Sequence, residues 1–461
     1  MIFRGGTDVV LAVDHKWRDL PGLAAISVWL QEGFGLKTEL VPNGLWHESL
    51  IRLRPKVFVV PILFGDYSRK LVSIAREMGT KIAVVMTEGR PNNLQGLDYM
   101  VGRHSGSGDA DLWLTWSDTV RDYMIEKEVL PPEKIITVGA HRFDIYREPL
   151  SSLIMPRDRF LKKYGLDCNR PIVSWATNFT HAKFHFSNIE FLKENWRSLG
   201  LLKYPAYKDP AEVSRKDHEA RVMSAEAIRK LLKARPEIQL AVKPHPSEEH
   251  DYYEGFVREC RAEFGPRVVF IGSEYIWDLL AAADVHIDRL CTTGVEAWFL
   301  DTPSIDLHLM DYMPWSVHLE GSASEALRGN DLVDDADSLI EKVDYYLKGG
   351  RPTEEMMRAR QEYILRWLYR VDGNRCLEAA RALAGLLDGA GVSLPGFKWE
   401  HVDALFSGVK TRLWLRLTHR VDTIRQVDKV ISSGDAKKWL RAVRGALLPA
   451  ISELKAKGSL K

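Results

Sequence analysis

Short apolar runs alternate with helical repeats along the first 150 residues. Runs at 8–13, 36–41, 57–61, 81–86, 111–116 and 135–139 have strand length, and all but 36–41 carry little polar interruption. Strands covered on both faces read this way. Helical repeats at 20–33, 67–78 and 118–128 fall between them. A second series follows, with strand-like runs at 171–176, 238–242, 267–271, 284–287 and 304–307. Its helices are expected at 157–164, 220–234, 252–264, 278–283 and 295–300, and three more at 336–347, 354–369 and 375–387 close it. Strands separated by helices predict parallel, doubly wound sheets. The stretch from 178 to about 214 is polar and aromatic, and too long for a bare connector, which marks a functional insertion.

The expected fold class is therefore α/β, with two Rossmann-like doubly wound domains at 1–150 and 151–387. A third segment, 388–461, has a different character. Gly389, Gly391, Pro395 and Gly396 read as a linker, followed by amphipathic stretches at 414–424 and 437–448. Residues 398–461 carry 14 Lys or Arg against 6 Asp or Glu, with Trp399, Trp414 and Trp439 interleaved. That composition suits peripheral contact with an anionic membrane; a helical pair packed on a domain with a solvated basic face, as long helices that snorkel arginines allow, is the alternative.

Bulk composition narrows the function classes. The 461 residues are 45% hydrophobic and 28% charged, with a formal net charge of +1, so overall charge does not point to nucleic acid. Cys168, Cys260, Cys291 and Cys376 form no metal spacing and fit a reducing compartment. No signal core or membrane-length apolar stretch is visible, and a cytoplasmic protein is expected. No turn carries GxGxxG, which argues against an ordinary dinucleotide site.

Chemistry concentrates at the carboxyl ends of the expected strands, where open α/β sheets bind ligands. Lys243-Pro244-His245-Pro246 follows the run 238–242. The prolines stiffen this loop, and His245 can donate to a phosphate oxygen with Lys243 nearby. A plain turn with a solvated histidine is the alternative. After the strand 284–287 come Thr292, Thr293 and Gly294, opening a helix that carries Glu296. A helix start with hydroxyls and a glycine can hold phosphate, and Glu296 could reach ribose hydroxyls. Alternatively, Thr293 is a structural cap and Glu296 compensates the helix dipole.

The first expected strand ends in Asp14-His15-Lys16-Trp17-Arg18-Asp19, and the fourth in Thr87-Glu88-Gly89-Arg90. Glu88 is the first candidate for a general base and Asp14 the second. Arg18 and Arg90 could clamp a carboxylate or phosphate, with His15 and Lys16 beside them. Arg142 follows the sixth expected strand. An ion-paired loop without a ligand is the alternative.

These residues resemble a known group. Two Rossmann-like domains with donor phosphates on the second describe the GT-B glycosyltransferases. Lys243-Pro244-His245-Pro246 with Asp284 and the Thr292–Gly294 turn resembles the HP and Ser/Thr motifs of bacterial sialyl- and Kdo transferases and of CDP-glycerol glycerophosphotransferases. The run from Val13 to Gly22, Thr87-Glu88-Gly89 and Ala176-Thr177-Asn178-Phe179 look like the surface carbohydrate (polysaccharide) biosynthesis family, over about residues 8–385. The resemblance implies that Lys243, His245, Thr292, Thr293, Gly294 and Glu296 bind the nucleotide, that His245 stabilises the leaving group, and that Asn178 belongs to the substrate site. It implies a metal-independent glycosyltransferase without cofactor, taking a CMP-activated ulosonic acid to a glycan or lipid-linked acceptor. A CDP-polyol phosphotransferase and an inactive nucleotide-sugar-binding scaffold remain alternatives. Asp288-Arg289 departs from the pattern, because the relatives tend to carry small polar residues there.

Overall fold

The computed structural model describes residues 6–42, 44–63, 65–91, 94–102, 107–272, 274–310, 322–388, 399–418 and 431–460. The chain divides into two units. The first comprises Met1–Arg90, Leu97–Leu153 and Ile364–Lys461, and the second Pro91–Gly96 and Ile154–Tyr363.

The first unit holds strands β1 (Val9–Val13), β2 (Thr38–Pro42), β3 (Val57–Val60), β4 (Lys81–Val85), β5 (Leu112–Thr115) and β6 (Ile135–Thr137). They form one parallel sheet in the order β2-β1-β3-β4-β5-β6. The order runs one way from β1 to β2 and the other way from β3 onward. The β1 loop therefore stands at the switch point, where such sheets leave a crevice for ligands.

The helix Leu20–Val28 follows that loop, and all nine of its residues are buried. A helix apolar on every side needs cover on every side. The C-terminal helix Ser433–Ala456 and the helix Arg375–Gly385 both pack against it. Val443, Leu447 and Ile451 are the buried stripe of the C-terminal helix. This corrects the boundaries expected from sequence. The chain rejoins the first unit at Ile364, well before residue 387, and the tail is a built-in part of that unit. Asp144, just after β6, anchors the return by accepting from the backbone N–H groups of Arg375 at 3.1 Å and Cys376 at 2.6 Å.

The second unit holds β7 (Ile172–Ala176), β8 (Gln239–Lys243), β9 (Val268–Phe270), β10 (Val285–Asp288), β11 (Ser304–Leu307) and β12 (Asp331–Val333). Its parallel sheet runs β12-β11-β10-β7-β8-β9, which places the switch point between β7 and β10. Trp175, Ile228, Leu231, Val242, Tyr253, Ile305 and Leu339 share its core. The strand pattern was legible except for β12, which is only three residues long. The helix expected from 220 begins at Pro210, where Asp209 caps it by accepting from Ala211 N at 3.0 Å and Glu212 N at 3.1 Å. Most of the insertion is thus helical, including Ile189–Ser198. Among the described residues no helix is long and apolar enough to cross a membrane. Part of the 414–424 stretch and the linker 389–398 lie outside the described residues.

Candidate functional site

Each unit presents its candidate residues on loops at the carboxyl ends of its strands, some of them at the switch point. In the first, Arg18 organises the β1 loop. Its Nε meets Asp19 Oδ1 at 2.5 Å and its Nη2 meets Asp19 Oδ2 at 3.1 Å, a bidentate pair with a fully buried carboxylate. Nη2 also reaches Asp14 Oδ2 and Thr87 Oγ1, each at 3.4 Å. Nη1 binds Glu88 Oε1 at 2.6 Å. One guanidinium thus links the β1 and β4 loops, as its planar fork permits. His15 Nε2 lies 3.5 Å from Asp14 Oδ2. Lys16 Nζ reaches Asp435 Oδ1 on the C-terminal helix at 2.8 Å.

Gly89, the residue after Glu88, lies against the Trp116 ring. A Cβ at Gly89 would stand 2.1 Å from Trp116 Cγ, so only glycine lets the loop lie on the ring. The Trp116 indole N–H donates to Met86 O at 2.5 Å and fixes that ring from below. The Arg142 guanidinium lies over the Phe143 and Trp116 rings, at 4.8 and 5.6 Å. Arg90 is half-buried beside them in sequence. The Arg18 charge holds the Glu88 carboxyl down at about 2; burial opposes this, and His15 and Arg142 add to it. The Glu88 side chain is nevertheless 69% exposed, so water screens the pair and its worth to stability is small. Its carboxylate is engaged with the Arg18 guanidinium, which competes with any proton it could take.

In the second unit the loops after β7, β8 and β10 carry the polar groups. His245 Nδ1 accepts from Ser247 N at 3.1 Å, so the proton of the neutral ring sits on Nε2. The His245 backbone N–H donates to Thr177 Oγ1 at 3.2 Å, and Thr177 Oγ1 donates to Glu248 Oε1 at 2.7 Å. Tyr253 donates its phenolic proton to the other oxygen of Glu248. Glu248 is buried, which pushes its carboxyl up, with the bonds from Tyr253 and Thr177 opposing. This chain fixes the histidine's backbone while its ring stays half-exposed. The Lys243 ammonium donates to Glu274 O at 2.6 Å.

The start of the helix Thr292–Trp298 differs from the expectation. Asp288, fully buried, accepts from Cys291 N at 3.1 Å and Gly294 N at 3.2 Å. A Cβ at Gly294 would meet both Asp288 oxygens at 2.8 Å. The chain's own carboxylate therefore takes the place expected for a phosphate, and a second anion there would be repelled. Thr293 Oγ1 pairs with His286 Nε2 at 3.1 Å, and His286 Nδ1 with Ser174 Oγ at 2.8 Å. Burial lowers His286 to about 3 and keeps it neutral. Glu296 is 5% exposed, too enclosed to meet a ribose in this arrangement. Thr292 remains half-exposed.

Asn178 and Arg289 serve each other. Asn178 Nδ2 donates to Arg289 O, and Arg289 Nη1 donates to Asn178 O, both at 3.1 Å. Arg289 also binds buried Asp217 at 2.6 Å, and Asp217 accepts from His181 N at 2.8 Å. The unusual Asp288-Arg289 pair is explained: Asp288 caps the following helix, and Arg289 ties the insertion to β10. Asn178 is buried in this lock rather than open to substrate. Sequence reading missed Glu248, His286, Asp217 and Asp435. Only Glu248, three residues beyond His245, carried a local signal. Among the described residues no group of three or more His, Cys, Asp or Glu could hold a metal ion.

No protein-family model matches the chain, and no curated protein matches it. Solved structures do. One is UDP-GlcNAc 2-epimerase from Neisseria meningitidis bound to UDP-GlcNAc, at TM-score 0.51 and 12% identity over 82% of this chain and 100% of that one. A putative UDP-N-acetylglucosamine 2-epimerase from Listeria monocytogenes gives 0.50 and 11%, over 85% and 100%. The wall teichoic acid polymerase TagF with CDPG gives 0.50 and 10%, over 83% and 89%. The fold is GT-B. At these identities the likeness is one of fold.

Proposed function

We propose that the chain is a glycosyltransferase of surface polysaccharide assembly, acting on a nucleotide-activated sugar. The observation that carries the reading is the His245 ring: Ser247 occupies Nδ1, so Nε2–H is the donor, presented from a stiff loop beside a sheet switch point. Such a donor stabilises charge developing on a departing phosphate oxygen. Thr292 lends a hydroxyl, while Asp288 keeps the phosphate off the rest of the helix start. The preferred donor is a CMP-activated ulosonic acid, Kdo or a sialic-acid relative, and the acceptor a glycan or a lipid-linked sugar.

In this reading the β1 loop handles the acceptor. A hydroxyl oxygen bonds to the anomeric carbon as the bond from that carbon to the phosphate oxygen breaks. The hydroxyl proton passes to a carboxylate. Glu88 lies 2.6 Å from Arg18, whereas Asp14 lies 3.4 Å from Arg18 and 3.5 Å from His15 Nε2, a group that can pass a proton on. Asp14 therefore takes the base role and Glu88 positions Arg18. The guanidinium groups of Arg18, Arg90 and Arg142, with His15 and Lys16, suit an anionic acceptor.

A CDP-polyol phosphotransferase is the second reading, favoured by the likeness to TagF with CDPG. Donor hydrolysis screened over CMP-, CDP-, UDP- and GDP-linked compounds separates the two. Turnover of CMP-sugars supports the first reading, turnover of CDP-polyols the second, and failure to bind any of them removes both. We place the protein in the cytoplasm at an anionic membrane face. Support comes from the exposed stripe Trp399, Phe406, Val409 and Leu413 on the helix Trp399–Thr418.

A further inference from the structure

We propose that Asp435, far along the chain on the C-terminal helix, is a positioning residue of the β1 loop and acts through Lys16. The inference rests on reading that loop as the acceptor side. Its two carboxylate oxygens do different things. Oδ2 closes the helix start, accepting from Ser432 N at 3.0 Å and Ser432 Oγ at 2.8 Å, while Asp435 N donates to Ser432 Oγ at 3.1 Å. Oδ1 reaches Lys16 Nζ at 2.8 Å. The capping box thus fixes the carboxylate before Lys16 arrives, so little side-chain freedom is lost in pairing. Lys16 and Asp435 are 22% and 26% exposed, which screens them less than a surface pair.

The helix that carries Asp435 is itself packed and bonded against the elements that follow the loop. Val443, Leu447 and Ile451 are buried, and Arg444 binds Glu32 Oε1 at 2.8 Å and Gln31 Oε1 at 2.6 Å. The loop is therefore pinned at three places: by β1, by the buried helix Leu20–Val28, and in its middle by Asp435. The pin also sorts charge. Asp14, Asp19 and Glu88 all take Arg18 as partner. Lys16, two residues from Asp14, is held on Asp435 and does not compete for them. Once Asp435 is neutralised, Lys16 becomes a rival of Arg18, and the base and the anion clamp lose their geometry together. An anionic acceptor arriving at Lys16 must likewise draw it from Asp435.

The test compares Asp435→Asn, Ser432→Ala, Lys16→Met and the double variant Asp435→Asn/Lys16→Met in the full chain. Amide hydrogen exchange is followed over residues 14–23 and 431–437, alongside transfer kinetics. Asp435→Asn should speed exchange in the β1 loop about three- to fivefold. Ser432→Ala removes the hydroxyl of the cap but leaves the Asp435 charge and its bond from Ser432 N, and should loosen the helix start fully and the β1 loop less than Asp435→Asn does. In the Lys16→Met background, Asp435→Asn should add nothing to the loop, because the two residues act as one unit. Transfer kcat/KM should fall in the same order. Unchanged loop exchange in Asp435→Asn, or simple addition of the two effects, overturns the proposal. Exchange is read without any substrate, so a mistaken donor or acceptor would leave this result standing.

Discussion

The two switch points are built from opposite materials. The β1 loop of the first unit is wired by charge: three carboxylates share one guanidinium, and the side chains of Asp14, His15, Lys16 and Arg18 are each about one-fifth exposed. The β7, β8 and β10 loops of the second unit are wired by buried hydrogen bonds, through Thr177, Glu248, His286 and Asp288. Partly exposed ion pairs feel water and salt, whereas buried networks hold one geometry in isolation from both. The first kind holds its loop through ion pairs that solvent partly reaches. The second kind aims a single group, here His245, at an invariant chemical feature.

The contrast can be broken at its strongest points first. If Asp14 is the base, Asp14→Asn should lower transfer about 10²–10⁴-fold while nucleotide affinity persists. Glu88→Gln should cost less and raise the acceptor KM, because it only loosens Arg18. The reverse ranking would return the base role to Glu88. On the donor side, His245→Ala should lose about 2.7–4 kcal/mol of transition-state stabilisation, roughly 10²–10³ in kcat, with thermal stability close to that of the parent. Wild-type turnover in that variant would remove the donor assignment. Gly89→Ala drives a methyl into the Trp116 ring and should cost about 1–3 kcal/mol by chemical denaturation, with Glu88 displaced.

Acid sharpens the comparison further. His286, buried and lowered to about 3, binds its proton more weakly folded than unfolded. Its contribution to stability is full above pH 6.5 and falls away as pH drops toward 3. Asp144 in the first unit has the opposite sign. Burial raises it from 3.8 to about 6, so its contribution is lost as pH rises through that window. Denaturation midpoints between pH 4 and 7 should therefore lose their acid slope in His286→Gln and steepen toward acid in Asp144→Asn, which removes the opposing term. The smallest expected effect concerns the tail. Each basic residue near an anionic surface adds about 1 kcal/mol, so full-length protein should sediment with anionic liposomes at low salt and release as salt rises. Replacing Trp399 and Phe406 by Ser should abolish it. Indifference to liposomes at low salt would leave the exposed stripe without a membrane role.

Eleven of twelve strands could be read from the sequence, most because a strand buried on both faces announces itself, the edge strands β2 and β6 from their place between helical repeats. So could the loops that carry the site, since a sheet exposes chemistry at strand ends. The wiring could not be read. Asp288 looked like an anomaly before a phosphate loop, and only the fold reveals it as the anion already seated there. Asn178 looked like a substrate ligand because nothing near it in sequence announces Arg289 as its partner. The tail looked separable, since its composition is basic and its linker glycine-rich. The one hint was the Leu20–Val28 segment, too uniformly apolar to be satisfied by a single sheet face.

That segment has a consequence for how the protein comes off the ribosome. Arg444 meets Glu32 across 412 residues of sequence, and the whole second unit is translated in between. The amino-terminal sheet therefore emerges with an oily helix open on one side, and stays so until the closing helix is made. At about 5–20 residues per second that wait lasts tens of seconds, a long exposure for a nascent chain. Chaperone engagement should concentrate on residues 20–33 during synthesis, and chains truncated before residue 433 should aggregate through that helix although every strand of both sheets has already been made.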